Sequence, residues 1–472
     1  MRRTQRVAAV LLATALVGSC SGPAAFRQPA PTGSAPPPGS SAPTTAPVTG
    51  CPARYADPDP HRPRITLTFD VSPGLDSVTG TERVRFVPDQ PVREVVFRLT
   101  PNGPTSFPDG TSLTVQRATA DPGGGRFRYE AAGAAAGSPG GVLVIPLDRE
   151  VPAGQPVTAD VAFTLQLGSG SFERFGRAGR LAWFGSGQPL FAWERGVGWH
   201  REALAKWIGE SATSEAADID LTVTAPGWAT VLTSGVQDRP ADAGGGRRRW
   251  HAVAATARDV AVSAGEQTTA SAEVAGTRIT AGAPDRGGAT AVLDRIRPAV
   301  TELTRRYGPF PFPALNVTLL PLQGGGIEYP GAILLFGNNQ VVDTHEAAHQ
   351  WFYAMVGNSQ SRDPWLDEAF ASFAEQTVDG TEGDEGPAAP GDVGAGINDF
   401  PSAEAYYGTV YGAGSQALHQ ARRAAGPARF DAAVRCYLTA NAWRIARPAD
   451  LAAALHDLPA ARDVLRKAHA LP

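Results

Sequence analysis

Apolar and polar residues alternate along three early stretches of the chain: Ile65, Leu67, Phe69 and Val71; Val161, Phe163, Leu165 and Leu167; and Ile219, Leu221 and Val223. A period of two places each set on one face of a half-buried strand. Gly and Pro clusters separate such runs, so residues 62–275 are expected to form an antiparallel β-sandwich domain. Within it, 183–215 is irregular and aromatic, and Trp193, Trp199 and Trp207 are expected to pack rather than form a binding platform. Near Arg286 the period changes. Val292, Leu293, Ile296, Val300, Leu303 and Tyr307 recur at helical spacing, with a kink at Pro298 and a stop at Gly308-Pro309. Residues 316–320 and 332–336 read as strands flanking a glycine-rich segment, 324–330. Helical patterning resumes at Ala403 in short segments, for example Phe430, Ala433, Val434 and Tyr437. The chain therefore reads as multidomain α+β, with a catalytic domain over 276–400 and a short helical part over 401–472.

The start of the chain has a different character. Arg2, Arg3 and Arg6 precede an apolar run, 7–18, that is too short to span a bilayer. It ends in Val17-Gly18-Ser19-Cys20, which resembles a bacterial lipobox with Cys20 lipidated. Residues 1–20 are thus expected to be a lipoprotein signal, with a plain secretory signal as the alternative. Residues 21–61 begin with a Pro-, Ser- and Thr-rich stretch that has too few large apolar residues to fold and reads as a tether. The expected location is the outer face of the cell membrane, through a lipid anchor. A net charge of −4 over 472 residues argues against nucleic-acid binding.

The chemistry concentrates in 341–376. His345-Glu346-Ala347-Ala348-His349 is an HExxH pattern: two imidazoles one helical turn apart reach one ion, and the intervening Glu addresses a water on it. A catalytic zinc takes three protein ligands and keeps a fourth position open. Glu368 is the candidate third ligand, on a second helix that Asp363 would cap and Pro364 would begin, with Trp365, Leu366, Ala369, Phe370, Phe373 and Ala374 as its apolar face. Phe352 and Met355 stand where a metzincin needs Gly and His, which excludes that class. Residues 378–400, rich in Gly, Pro and acidic side chains, read as a solvated loop.

The segment HEAAHQWFYAMVGNSQSRDPWLDEAFASFAE resembles the zinc-site segment of the aminopeptidase N family of gluzincin metallopeptidases. Upstream, Gly324-Gly325-Gly326-Ile327-Glu328-Tyr329-Pro330 is similar to that family's Gly-x-Met-Glu-Asn motif. The resemblance implies a β domain followed by a thermolysin-like, mainly helical catalytic domain, without the large C-terminal helical domain of longer members. It implies one zinc per chain, peptide substrates, Glu346 as general base and Glu328 as the partner of the substrate's α-amine. Gly325 and Gly326 would let a substrate backbone approach an edge strand. Val410-Tyr411-Gly412-Ala413-Gly414 resembles the segment carrying the family's catalytic tyrosine, which makes Tyr411 the oxyanion donor, with Tyr406 and Tyr407 as rivals. An endopeptidase with an open cleft and a non-catalytic zinc protein are the alternative functions. Outside the cytoplasm, Cys51 and Cys436 are expected either to form a disulfide or to remain separate thiols.

Overall fold

The computed structural model describes residues 51–207, 213–382 and 391–472. The alternating stretches are strands Arg64–Val71, Val157–Gln166 and Ala217–Pro226, and the apolar residues that predicted them are buried. All three belong to one eight-stranded sheet. That sheet is not wholly antiparallel as expected. Arg64–Val71 runs parallel to Ala217–Pro226, with Ile65 opposite Ile219 and Phe69 opposite Val223. The intervening chain is long enough for the crossover a parallel pair requires, and alternation alone does not encode direction. Two smaller sheets, of five and four strands, share the core, where Phe97, Ile145, Leu221 and Ala264 meet. The tryptophans do pack: Trp193 is buried, Trp199 meets it edge-on at 4.7 Å, and Trp207 Nε1 donates to Phe400 O at 3.3 Å.

A second five-stranded sheet runs in the order Thr268–Val274, Thr277–Ala283, Ala314–Leu320, Ala332–Phe336, Gly325–Tyr329. The glycine-rich segment is therefore an edge strand, antiparallel to its neighbour, with Glu328 opposite Ile333. Helix α1 spans Arg286–Tyr307 and starts before its first periodic residue, because the Asp285 side chain accepts from Gly288 N. Pro298 lies inside α1 without ending it, and Gly308 at φ 105 does end it.

Helix α2 is Gln340–Ala348 and α3 is Glu368–Asp379. There follow α4 (Ala403–Tyr406), a π-helical turn (Tyr407–Ala413), α5 (Gly414–Ala425), α6 (Pro427–Asn441), α7 (Pro448–Ala454) and α8 (Pro459–Lys467). The expected start of the second helix needs correction. Pro364–Leu366 is a separate 3₁₀ turn without a side-chain cap, and Asp367, whose Oδ1 accepts from Glu368 N at 3.0 Å, caps α3. A proline suits the first position of either helix type, so it marks the turn but not its kind. The loop expected over 378–400 also differs in part. Val393 and Ile397 are buried in the helical core, while 383–390 lie outside the described residues. Helix α5 crosses α3 so closely that a Cβ on Gly414 would stand 2.6 Å from that of Ala369.

Candidate metal centre

Three side chains from two helices turn toward one point. His345 Nε2 and His349 Nε2 stand 3.1 Å apart, and Glu368 Oε2 lies 3.2 Å from the first and 3.4 Å from the second. A tetrahedral zinc about 2.0–2.1 Å from each donor sets its ligand atoms about 3.3 Å apart. The donor set and spacing fit that ion. The rings are also oriented for it. His345 Nδ1 faces Glu375 Oε2 at 3.3 Å, and His349 Nδ1 faces Phe352 O at 3.2 Å. A proton on each Nδ1 satisfies these acceptors and leaves both Nε2 lone pairs for the metal. Burial lowers the basicity of both imidazoles, but the carboxylates around them outweigh it: His345 titrates well above its ordinary value and His349 at about 9. The site attracts positive charge.

Glu346 occupies the side of this point nearest the edge strand. It is 5 % exposed and its Oε2 has no hydrogen-bond partner. Burial pushes its pKa up to about 8. A Cβ added to Gly326 would meet Glu346 Cγ at 2.5 Å, so only glycine lets the carboxylate lie against the strand. Two residues on, Glu328 is buried and its Oε1 accepts from Gln360 Nε2 at 3.3 Å. Ligand atoms of Glu328, Glu346 and His349 all lie within 4.8 Å of one another. Gln350 locks helix to strand: its Oε1 accepts from Gly331 N at 2.9 Å and its Nε2 donates to Tyr329 O at 3.1 Å. Of the three tyrosines considered, Tyr411 is the one stacked on His345, with ring centres 5.7 Å apart and planes 8° from parallel. Tyr407 and Tyr406 pack against Tyr411 at 5.0 and 5.8 Å. The π-helical turn sets this placement, consistent with the use of such turns at functional sites.

Four residues here were not picked out from the sequence. Glu375 sits two turns after Glu368 on the same face of α3, a spacing that was visible. Gln360 donates to both Glu328 and Asp367. Glu173, from the β domain, is held at φ 33, and its pKa is raised to about 8 by burial, opposed by Arg174 and reinforced by Glu328 and Glu368. Arg258 is buried and donates to Ala354 O and Met355 O at 3.3 Å each, tying the strand-rich part of the chain to the loop after the second histidine. Nothing local in the sequence marks these last two, because their role is set across the interface. Cys20 lies outside the described residues. Cys51 and Cys436 are both free thiols here and touch each other.

No protein-family model and no curated protein matches the sequence. Solved structures do. The M1 zinc metallopeptidase from Deinococcus radiodurans superimposes with a TM-score of 0.63 at 17 % identity, over 87 % of this chain and 94 % of that one. The fold is that of an M1 zinc metallopeptidase. A mutant of the Deinococcus protein bound to Tyr-Ser-Ala gives 0.62 at 17 % identity, over 86 % and 94 % of the two chains. A two-domain M1 zinc metallopeptidase mutant bound to L-tryptophan gives 0.60 at 18 %, over 89 % and 96 %.

Proposed function

We propose that this protein is a zinc-dependent peptidase that removes residues from the free N-terminus of peptides. The observation that carries this reading is the convergence of His345, His349 and Glu368 at tetrahedral spacing, beside a buried, unpartnered Glu346. Among the described residues the two candidate donor groups share His349, so one ion per chain is proposed. When bound, zinc lowers the pKa of its water toward about 7 and polarises the scissile carbonyl. Glu346 takes the proton of the attacking water and delivers it to the leaving amine. Tyr411 donates to the carbonyl oxygen as negative charge grows there. Glu328 pairs with the substrate's α-ammonium and holds the first peptide bond at the reacting position. The outer edge of the Gly325–Tyr329 strand, half-buried at Gly325 and Gly326, would offer main-chain hydrogen bonds to the substrate backbone. The Tyr-Ser-Ala complex of the Deinococcus relative supports a peptide as the substrate class. We further propose an extracytoplasmic lipoprotein, on the strength of the Cys20 motif alone.

The test is hydrolysis of matched peptides with free and acetylated N-termini. Capture of the ammonium by Glu328 predicts roughly a hundredfold preference for the free amine, narrowed in Glu328→Ala. Equal rates on both substrates by the wild type would replace this reading with an endopeptidase.

A further inference from the structure

The two thiols of the folded region meet where the described chain begins. Cys51 opens a short strap whose Tyr55 and Ala56 pack against the helical core, and Cys436 lies on α6. The strap is fastened at several points beyond the cysteines. Ala56 N donates to Thr439 O at 2.9 Å, one turn along α6 from Cys436. The Tyr55 hydroxyl donates to Pro309 O at 2.7 Å and accepts from Trp351 Nε1 at 3.1 Å. Tyr55 fits there because the residue beneath it is glycine: a Cβ on Gly308 would come within 2.8 Å of its hydroxyl. Trp351 follows the second zinc-site histidine closely and is fully buried. The strap thus joins the end of α1, Trp351 just past α2, and α6.

We propose that Cys51 and Cys436 form a disulfide that fastens this strap to α6. The Cys51 and Cys436 thiols are hydrogen-bonded to each other, and Ala56, five residues on, is bonded to Thr439 O one turn along α6 from Cys436, which places the two sulfurs side by side as a disulfide requires. Burial, and then the neighbouring Cys51 thiol, push Cys436 up to about 12, consistent with two thiols packed together. The bond forms by exchange with an oxidised dithiol–disulfide carrier. One cysteine thiolate attacks a carrier sulfur and displaces the other carrier sulfur as a thiolate. The second cysteine then attacks the mixed disulfide, forming the Cys51–Cys436 bond and releasing the second carrier sulfur. Two protons and two electrons leave the protein, and the carrier's disulfide becomes two thiols. The bridge closes nearly the whole folded chain into one loop, where the constraint on the unfolded state is large.

The experiment uses the full chain exported to an oxidising compartment, alkylated without reduction and digested with trypsin. The expected result is one species joining peptides 28–54 and 436–444 that separates on reduction. Reductant should also lower Tm by about 3–5 °C, and the same reductant should leave Tm unchanged in Cys51→Ala/Cys436→Ala. Both cysteines alkylated in the unreduced sample would overturn the proposal, as would an equal reductant effect in the double variant. Neither readout involves hydrolysis or zinc, so failure here leaves the peptidase reading intact, and the converse holds.

Discussion

Replacing Gly326 by alanine probes the base without touching a metal ligand. Gly326 is not among the residues with positive φ, so its backbone accepts alanine without strain. The new methyl would instead stand 2.5 Å from Glu346 Cγ and 2.7 Å from its Cδ and Oε1. Ordinary carbon contacts begin near 3.4 Å, so the Glu346 side chain must retreat by about 1 Å from the strand. A misplacement of about 1 Å in a catalytic group costs about 10²-fold in rate, equivalent to about 2.7 kcal/mol of activation free energy. The three atoms nearest the new methyl all belong to Glu346, so the zinc content is expected to match the wild type. The assay pairs kcat and KM on a free-amine peptide with metal analysis and Tm. The expected outcome is kcat down about a hundredfold with metal and Tm retained. A rate within a few fold of wild type at full metal content would refute the placement of Glu346 as the base, and loss of zinc would refute the separation of base from ligands.

Glu346→Gln should abolish hydrolysis while keeping zinc, whereas His349→Ala should lose the metal; equal zinc loss in the two would remove Glu346 from its role. Glu375→Gln weakens the acceptor on His345 Nδ1 and should reduce zinc affinity about 10–100-fold, read by competition with a chelator; unchanged affinity would mean that the contact does not orient the ring. A pH effect follows from His200, which is buried between Glu194 Oε2 at 2.5 Å and Glu202 Oε1 at 2.7 Å. Burial disfavours its charge, but the two carboxylates outweigh this and raise its pKa above 6.5. The clamp's contribution is therefore complete below pH 6.5 and is lost as pH rises through the folded value. The Tm gap between wild type and His200→Gln should be widest below that pH and narrow in alkali; a gap independent of pH would sink the argument. The carboxylate side has the opposite sign. Glu202, though burial alone would raise it, is held at about 2 by His200, so its share persists above its ordinary 4.5 and fades only as pH falls toward 2.

Local periodicity was enough to locate most elements. Alternation found the strands at 65, 161 and 219, and helical spacing found α1, because both patterns are properties of a few consecutive residues. The three candidate ligands that converge were legible for the same reason. His345 and His349 are one turn apart, and Glu368 precedes an apolar helical face whose only sensible orientation is inward. Glu375 was equally available, on the same face of the same helix. What the sequence could not carry was anything decided between elements distant along the chain. The parallel pairing of Arg64–Val71 with Ala217–Pro226 depends on which edges meet, and alternation is blind to strand direction. The short turn Pro364–Leu366 separates from α3 because the chain must rotate to aim Glu368 at two histidines on another helix. Glu173 and Arg258 come from the strand-rich part of the chain, far from the HExxH segment in sequence, and burial and the neighbouring groups, not sequence spacing, bring them near it. Tyr411 was one of three adjacent tyrosines until a π-helical turn laid its ring on His345. Residue types and their spacing thus set the chemistry available to this chain, while tertiary packing chose which side chains are buried together around one point, where polar groups act on one another most strongly.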